Sequence, residues 1–210
     1  MIRPLNRQTF GDPAHSGKFL SIDQARELLA QWVPNIKLRN HMYQVGYLLK
    51  CWAKEVEGLH EEMQWKWQLA GWLHDADWEL WPDQHCQVII EELEKREIDP
   101  EIIHAIASHG PQHFGVEPVN KLDHLLYAFD ELSGFIHAYS LMRPNGYQGM
   151  DVKGVVKRLK DKTFAAQVSR ADIQDGAKRL GLSQEELIGF IITHQVNTPE
   201  VNITAQHASE

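Results

Sequence analysis

In Gly71-Trp72-Leu73-His74-Asp75-Ala76-Asp77-Trp78-Glu79 a histidine stands beside an aspartate at the end of an apolar, tryptophan-rich run. The pair offers one neutral nitrogen and one anionic oxygen. That mixture suits Mn²⁺, Fe²⁺ or Zn²⁺ better than Ca²⁺, which takes oxygen donors. Neighbouring residues on a helix point about 100° apart, so the two can converge on one ion only where a helix ends or the ion sits at its edge. Two donors do not hold a catalytic metal, and alone the pair reads equally well as a carboxylate ending a helix. Further donors must come from elsewhere in the chain. His41, His85 and His109 fall at or near expected helix ends, and Asp130 falls in the middle of a long helical pattern beside Phe129. A carboxylate buried there needs a partner, because an unpaired one is costly, and a metal ion would serve.

The elements that must position these residues are helical. Ser21-Ile22-Asp23-Gln24 is a capping signal, and Ala25, Leu28, Leu29 and Trp32 follow it at helical spacing, predicting a helix over about 21–33 that Pro34 ends. From Asn40, with His41 in the first turn, Met42, Val45, Leu48, Leu49, Trp52 and Val56 predict a second helix up to Gly58. A third, over about 61–74, delivers His74 and Asp75 at its C-terminal end. His85 opens an apolar-periodic run, and Asp99-Pro100-Glu101 starts a helix that His109 ends. Residues 110–118 read as a loop. A long helix over about 119–142 carries Asp130, a basic amphipathic run follows, and two short helices complete the pattern over about 170–180 and 184–195. No strand pattern stands out, so the expected class is all-α. Residues 1–20 read as an irregular lead-in, 21–195 as one domain and 196–210 as a polar, frayed tail.

Composition narrows the function classes. With 210 residues, 43% hydrophobic and 24% charged, the chain is expected to fold around one core. A net charge of −8 argues against a broad face for duplex nucleic acid. No apolar run approaches the roughly 18–20 residues of a membrane span. Cys51 and Cys86 are too few and too far apart for a disulfide framework or a zinc knuckle, and no signal segment opens the chain. A cytoplasmic location is expected.

The order His41, His74-Asp75, His85, His109, Asp130 resembles the HD superfamily of metal-dependent phosphohydrolases, over about residues 21–140. The runs Leu73-His74-Asp75-Ala76-Asp77 and Asp130-Glu131-Leu132-Ser133-Gly134-Phe135 resemble those of small bacterial HD proteins. The resemblance implies an all-α, single-domain HD-type bundle with His41, His74, Asp75 and Asp130 as the four hallmark ligands. Asp75 would bridge two ions, and His85 and His109 would be the extra ligands of a dinuclear member. It implies one or two divalent ions (Mn, Fe, Ni, Co, Zn or Mg) as cofactor. No Gly-Tyr-Pro signature marks a cyclic-dinucleotide-degrading member, and the chain is short for the oligomeric deoxynucleotide triphosphohydrolase architecture.

These features favour hydrolysis of a small phosphate ester or nucleotide, since two ions can bind phosphoryl oxygens and lower the pKa of a water. Some proteins with this ligand set activate O₂ at mixed-valence iron instead, and a regulator could keep the fold without catalysis. Asp77 reads equally as a proton relay or as a capping or surface residue. Lys153, Lys157 and Lys160 share one helix face that either meets phosphate or is simply solvated. Arg39 and Arg143 are each suited to clamp a phosphate. His104, His113, His124, His137 and His194 read as surface or core-edge residues, with a place facing the cleft as the alternative for His113, in the loop after His109. The expected partner is a small phosphorylated substrate, with neither duplex nucleic acid nor membrane, and a homo-oligomer is compatible with all of this.

Overall fold

The computed structural model describes residues 4, 5, 10 and 17–201. In chain order these form α1 (Ile22–Trp32), α2 (Ile36–Glu55), α3 (Glu61–Leu73), a 3-10 turn (Pro82–Gln84), α4 (Gln87–Lys95) and α5 (Pro100–Ser108). There follow α6 (Pro111–Phe114), α7 (Lys121–Leu141), α8 (Val152–Leu159), α9 (Arg170–Leu180) and α10 (Gln184–Gln195). Among the described residues the only strand-like feature is an isolated bridge between Lys18 and Ile98. The protein is all-α, and one apolar cluster runs through it. No described helix is long and apolar enough to cross a membrane.

The crossing of α2 and α3 sets the geometry of the site. A Cβ added to Gly71 would lie 2.5 Å from the Cα of Gly46, so the two backbones touch there and only glycine fits. His41 lies five residues before Gly46, and His74 three after Gly71, so this contact brings their rings to a centroid distance of 5.4 Å. The long helix α7 packs on α2, α5 and α9, and α5 packs on α3. The ends of α3 and α5 and the middle of α7 therefore meet around one cleft.

The capping boxes expected at Ser21 and Ser183 are present, and a third closes on Asn120 and Asp123 at the start of α7. Helix α2 begins at Ile36 rather than near Asn40. Asn35 caps it, its Oδ1 accepting from Lys37 N at 3.0 Å, so the break after Pro34 is short and His41 sits in the second turn. Within 110–118, Pro111 opens the single turn α6, and Gly115, at φ 72°, closes it. One turn is too short to leave a period in the sequence. The expectation of a frayed tail fails over 196–201, because Thr198 is fully buried and Glu200 reaches Arg26 at 3.8 Å. In the lead-in, Phe10 and Leu20 are buried in the core. Residues 1–3, 6–9, 11–16 and 202–210, which hold the rest of the expected lead-in and tail, lie outside the described residues.

Candidate metal centre

His41, Asp75, His85, His109 and Asp130 line a cleft of about 280 Å³, and His74 lies fully buried against them. The Nε2 of His41 lies 2.9 Å from Asp130 Oδ1, and the Nε2 of His74 lies 3.5 Å from both Asp130 Oδ1 and Asp75 Oδ2. On the other side of Asp75, Oδ1 lies 3.3 Å from His85 Nε2 and 3.7 Å from His109 Nε2. Asp75 thus turns one oxygen toward His74, which groups with His41 and Asp130, and the other toward His85 and His109.

The opposite edges of three imidazoles are fixed. His74 Nδ1 donates to Gly71 O at 2.8 Å and His109 Nδ1 to Ile106 O at 2.7 Å. His85 Nδ1 donates to Asp77 Oδ1 at 2.7 Å. In the neutral ring the proton is then on Nδ1 and the lone pair on Nε2, so all three lone pairs point at carboxylate oxygens. Lone pairs facing lone pairs repel unless a cation lies between them. Consistent with this, His74 Nε2 is fully buried and has no hydrogen-bond partner. Ligand bonds of about 2.1 Å place neighbouring donors roughly 3.0 Å apart at a right angle and roughly 3.4 Å apart at the tetrahedral angle. The observed contacts span that range, so the residues fit a divalent ion.

The electrostatics point the same way. Burial disfavours the Asp75 carboxylate, yet the histidines around it, His74 first, hold its pKa well below the usual range; Asp130 is held down by His41 and His74. Burial also disfavours imidazolium at His41, His85 and His109, yet Asp130 at His41, and Cys86 with Asp75 at the other two, hold all three above the ordinary value. Burial and the Asp130 charge push Glu131 up to about 7. The raised imidazoles and Glu131 mark a field that favours positive charge, while the lowered Asp75 and Asp130 keep the anionic form that supplies that field.

Asp77 is away from the cleft. It is fully buried, and its second oxygen accepts from Ile89 N at 2.9 Å, at the third position of α4, whose own N-cap Cys86 supplies no side-chain bond. The aspartate therefore caps α4 and orients His85 together. The five basic residues expected to bind phosphate do not line the cleft. Arg39 stands two positions before His41, about 200° round the helix. Arg143 donates from Nη2 to Gln148 O at 3.0 Å and packs over Tyr139. Lys153, Lys157 and Lys160 are exposed around α8.

Several wall residues carried little signal of their own. Trp78 and Phe114 stand edge-on to His85, at centroid distances of 5.0 and 5.3 Å. Tyr127, Glu131 and Asp172 line the far side, and His113 faces the cleft. Cys86, which follows His85 in the chain, lies 3.7 Å from His85 Nε2 and 3.7 Å from His109 Nδ1. Its adjacency to His85 was the only trace available. Glu131 was available too, as the residue after Asp130.

Residues 38–134 match the HD domain family, a stretch that begins in α2, ends in α7 and contains all six converging side chains. No curated protein and no solved structure matches the chain. Together with the all-α architecture and the clustered metal-ligand side chains, the match supports membership of the HD superfamily, a superfamily of metal-dependent hydrolases.

Proposed function

We propose that the protein is a metal-dependent phosphohydrolase that cleaves a phosphate ester of a nucleotide or another small phosphorylated metabolite, using a metal-activated water. The observation that carries this reading is the set of three imidazoles with Nδ1 tied back and Nε2 aimed at two carboxylates. His41, His74 and Asp130 would hold one ion and His85 and His109 a second, with Asp75 offering one oxygen to each group. When bound, such ions supply Lewis-acid polarisation of a phosphoryl oxygen and lower the pKa of a water.

The remaining work falls to the chain. Gly71 O, Ile106 O and Asp77 hold the three rings in the tautomer that presents Nε2. Trp78 and Phe114 wall the cleft on the side of His85. Among the described residues the lining contains Asp75, Asp130, Glu131 and Asp172 and no lysine or arginine. Among these groups substrate charge is met chiefly by bound cations, with His113 the one further imidazole facing the cleft, which favours a monoester with one phosphoryl group over a triphosphate.

The test joins elemental analysis of protein purified without added metal to a panel of phosphate monoesters and triphosphates, with oxygen uptake followed in parallel. About two ions per chain, and phosphate release with a preference for monoesters, support the reading. Oxygen consumption by the iron-loaded protein without phosphate release would replace it with an oxygenase, and a metal-free, inert protein would make the chain a regulator.

A further inference from the structure

A second group of metal-binding side chains lies outside the cleft, where α10 packs on α2. Cys51 and Glu55 stand four residues apart on α2 and so share one face. His194, in the last turn of α10, lies against them, and one donor atom from each of the three falls within 4.8 Å of the others. His194 Nε2 is 3.4 Å from Glu55 Oε2. Cys51 is buried and unpaired, whereas Glu55 opens to solvent.

The surroundings hold the donors in place. The His194 ring lies 4.3 Å from Phe190, which itself packs on Trp52 and stacks on Phe129. Tyr47 stands one turn before Cys51 on α2 and so shares its face of the helix. Sulfur, imidazole nitrogen and carboxylate oxygen together are a donor set for Zn²⁺ and not for Mg²⁺ or Ca²⁺. Three protein ligands leave the fourth tetrahedral position to water, on the side where Glu55 is exposed.

We propose that Cys51, Glu55 and His194 form a zinc site, separate from the metal centre of the cleft, that staples α10 to α2. The staple bears on the cleft through the next residue of α10. Gln195 Nε2 donates to Gln44 Oε1 on α2 at 3.0 Å and to Ser133 O on α7 at 3.1 Å. Ser133 Oγ in turn donates to Asp130 O at 3.0 Å. Fixing α10 therefore braces the two helices that carry His41 and Asp130.

The probe is Co²⁺, added to the protein with its native metal content and followed by the thiolate-to-cobalt charge-transfer band in the near ultraviolet. Because the chain has two cysteines, the variants assign the band. It is expected in the wild type and in Cys86→Ser, and absent in Cys51→Ser. In His194→Gln the affinity should fall by more than the roughly 10–100-fold that a lost supporting contact costs. Zn²⁺ should displace the cobalt and raise Tm more in the wild type than in Cys51→Ser, where only the cleft is left to bind it, a comparison that stands even where Cys86→Ser does not fold. No band in the wild type overturns the proposal. So does a band that survives in Cys51→Ser, which would place the thiolate at Cys86 beside the cleft, or a zinc-induced rise in Tm as large in Cys51→Ser as in the wild type.

Discussion

Replacing Asp77 by asparagine separates orientation from chemistry. The carboxylate is fully buried and accepts two hydrogen bonds, from His85 Nδ1 at 2.7 Å and Ile89 N at 2.9 Å. Asparagine has one acceptor oxygen, and its NH₂ must face one of those two donors. If it faces His85, the ring has to present a bare Nδ1 and carry its proton on Nε2, toward Asp75 Oδ1 at 3.3 Å, where no lone pair is left for an ion. If it faces Ile89, the start of α4 keeps an unpaired buried N–H, costing about 1–3 kcal/mol. Either arrangement weakens the His85 side of the centre, and loss of such an outer contact typically costs about 10–100-fold in metal affinity. At roughly 2–4 °C of Tm per kcal/mol for a chain of this size, Tm should fall by roughly 2–12 °C. Chelator competition and calorimetry on the Asp77→Asn protein measure both quantities. Wild-type metal affinity and Tm combined with a lost kcat would refute the argument and make Asp77 a proton relay.

Four further outcomes follow from the same geometry. Asp75→Ala should abolish metal binding and turnover while far-UV circular dichroism stays helical; retained activity would remove Asp75 from the site. In Gly71→Ala the new Cβ meets Gly46 Cα at 2.5 Å, so α2 and α3 must part, at a cost of about 1–3 kcal/mol and with weaker metal binding, both absent if the crossing is soft. Lys66 is buried between Asp99 at 2.8 Å and Glu101 at 2.5 Å, and Lys66→Met should lower stability by about 3 kcal/mol in urea melts, an unchanged midpoint showing that the pair contributes nothing. Lys157→Ala should leave KM for a phosphate monoester unchanged, and a several-fold rise would return the basic face of α8 to the substrate.

Local signals carried most of the fold. Ser21, Pro100 and Ser183 each mark a helix start that the backbone obeys, because a cap acts within one turn of the residue that makes it. Asn35 was overlooked because Pro34 beside it reads as a stop, and both are true within two residues. What remained hidden depends on partners distant in the chain. Asp77 looks like a surface or catalytic acid until α4 turns back and sets Ile89 N and His85 on it. The direction of Arg39 follows only from the true start of α2. His194 lies far along the sequence from Cys51, and no spacing rule joins them.

Why the hallmark histidines sit at helix ends has a physical answer in this chain. The last carbonyls of a helix have no N–H partner within it. His74 caps α3 and His109 caps α5, and each returns its Nδ1–H to the carbonyl three residues back, Gly71 O and Ile106 O, at the same register of the final turn. One bond satisfies an orphan carbonyl and fixes the tautomer, leaving Nε2 free to face the cleft. His85 stands between the 3-10 turn Pro82–Gln84 and α4, makes no ring bond back to a carbonyl of that turn, and takes its fixed proton position from the Asp77 carboxylate. Two of these histidines are therefore locked by backbone that no side-chain substitution removes. The third depends on a single side chain, which makes Asp77 the point at which the His85 and His109 half of the centre fails first.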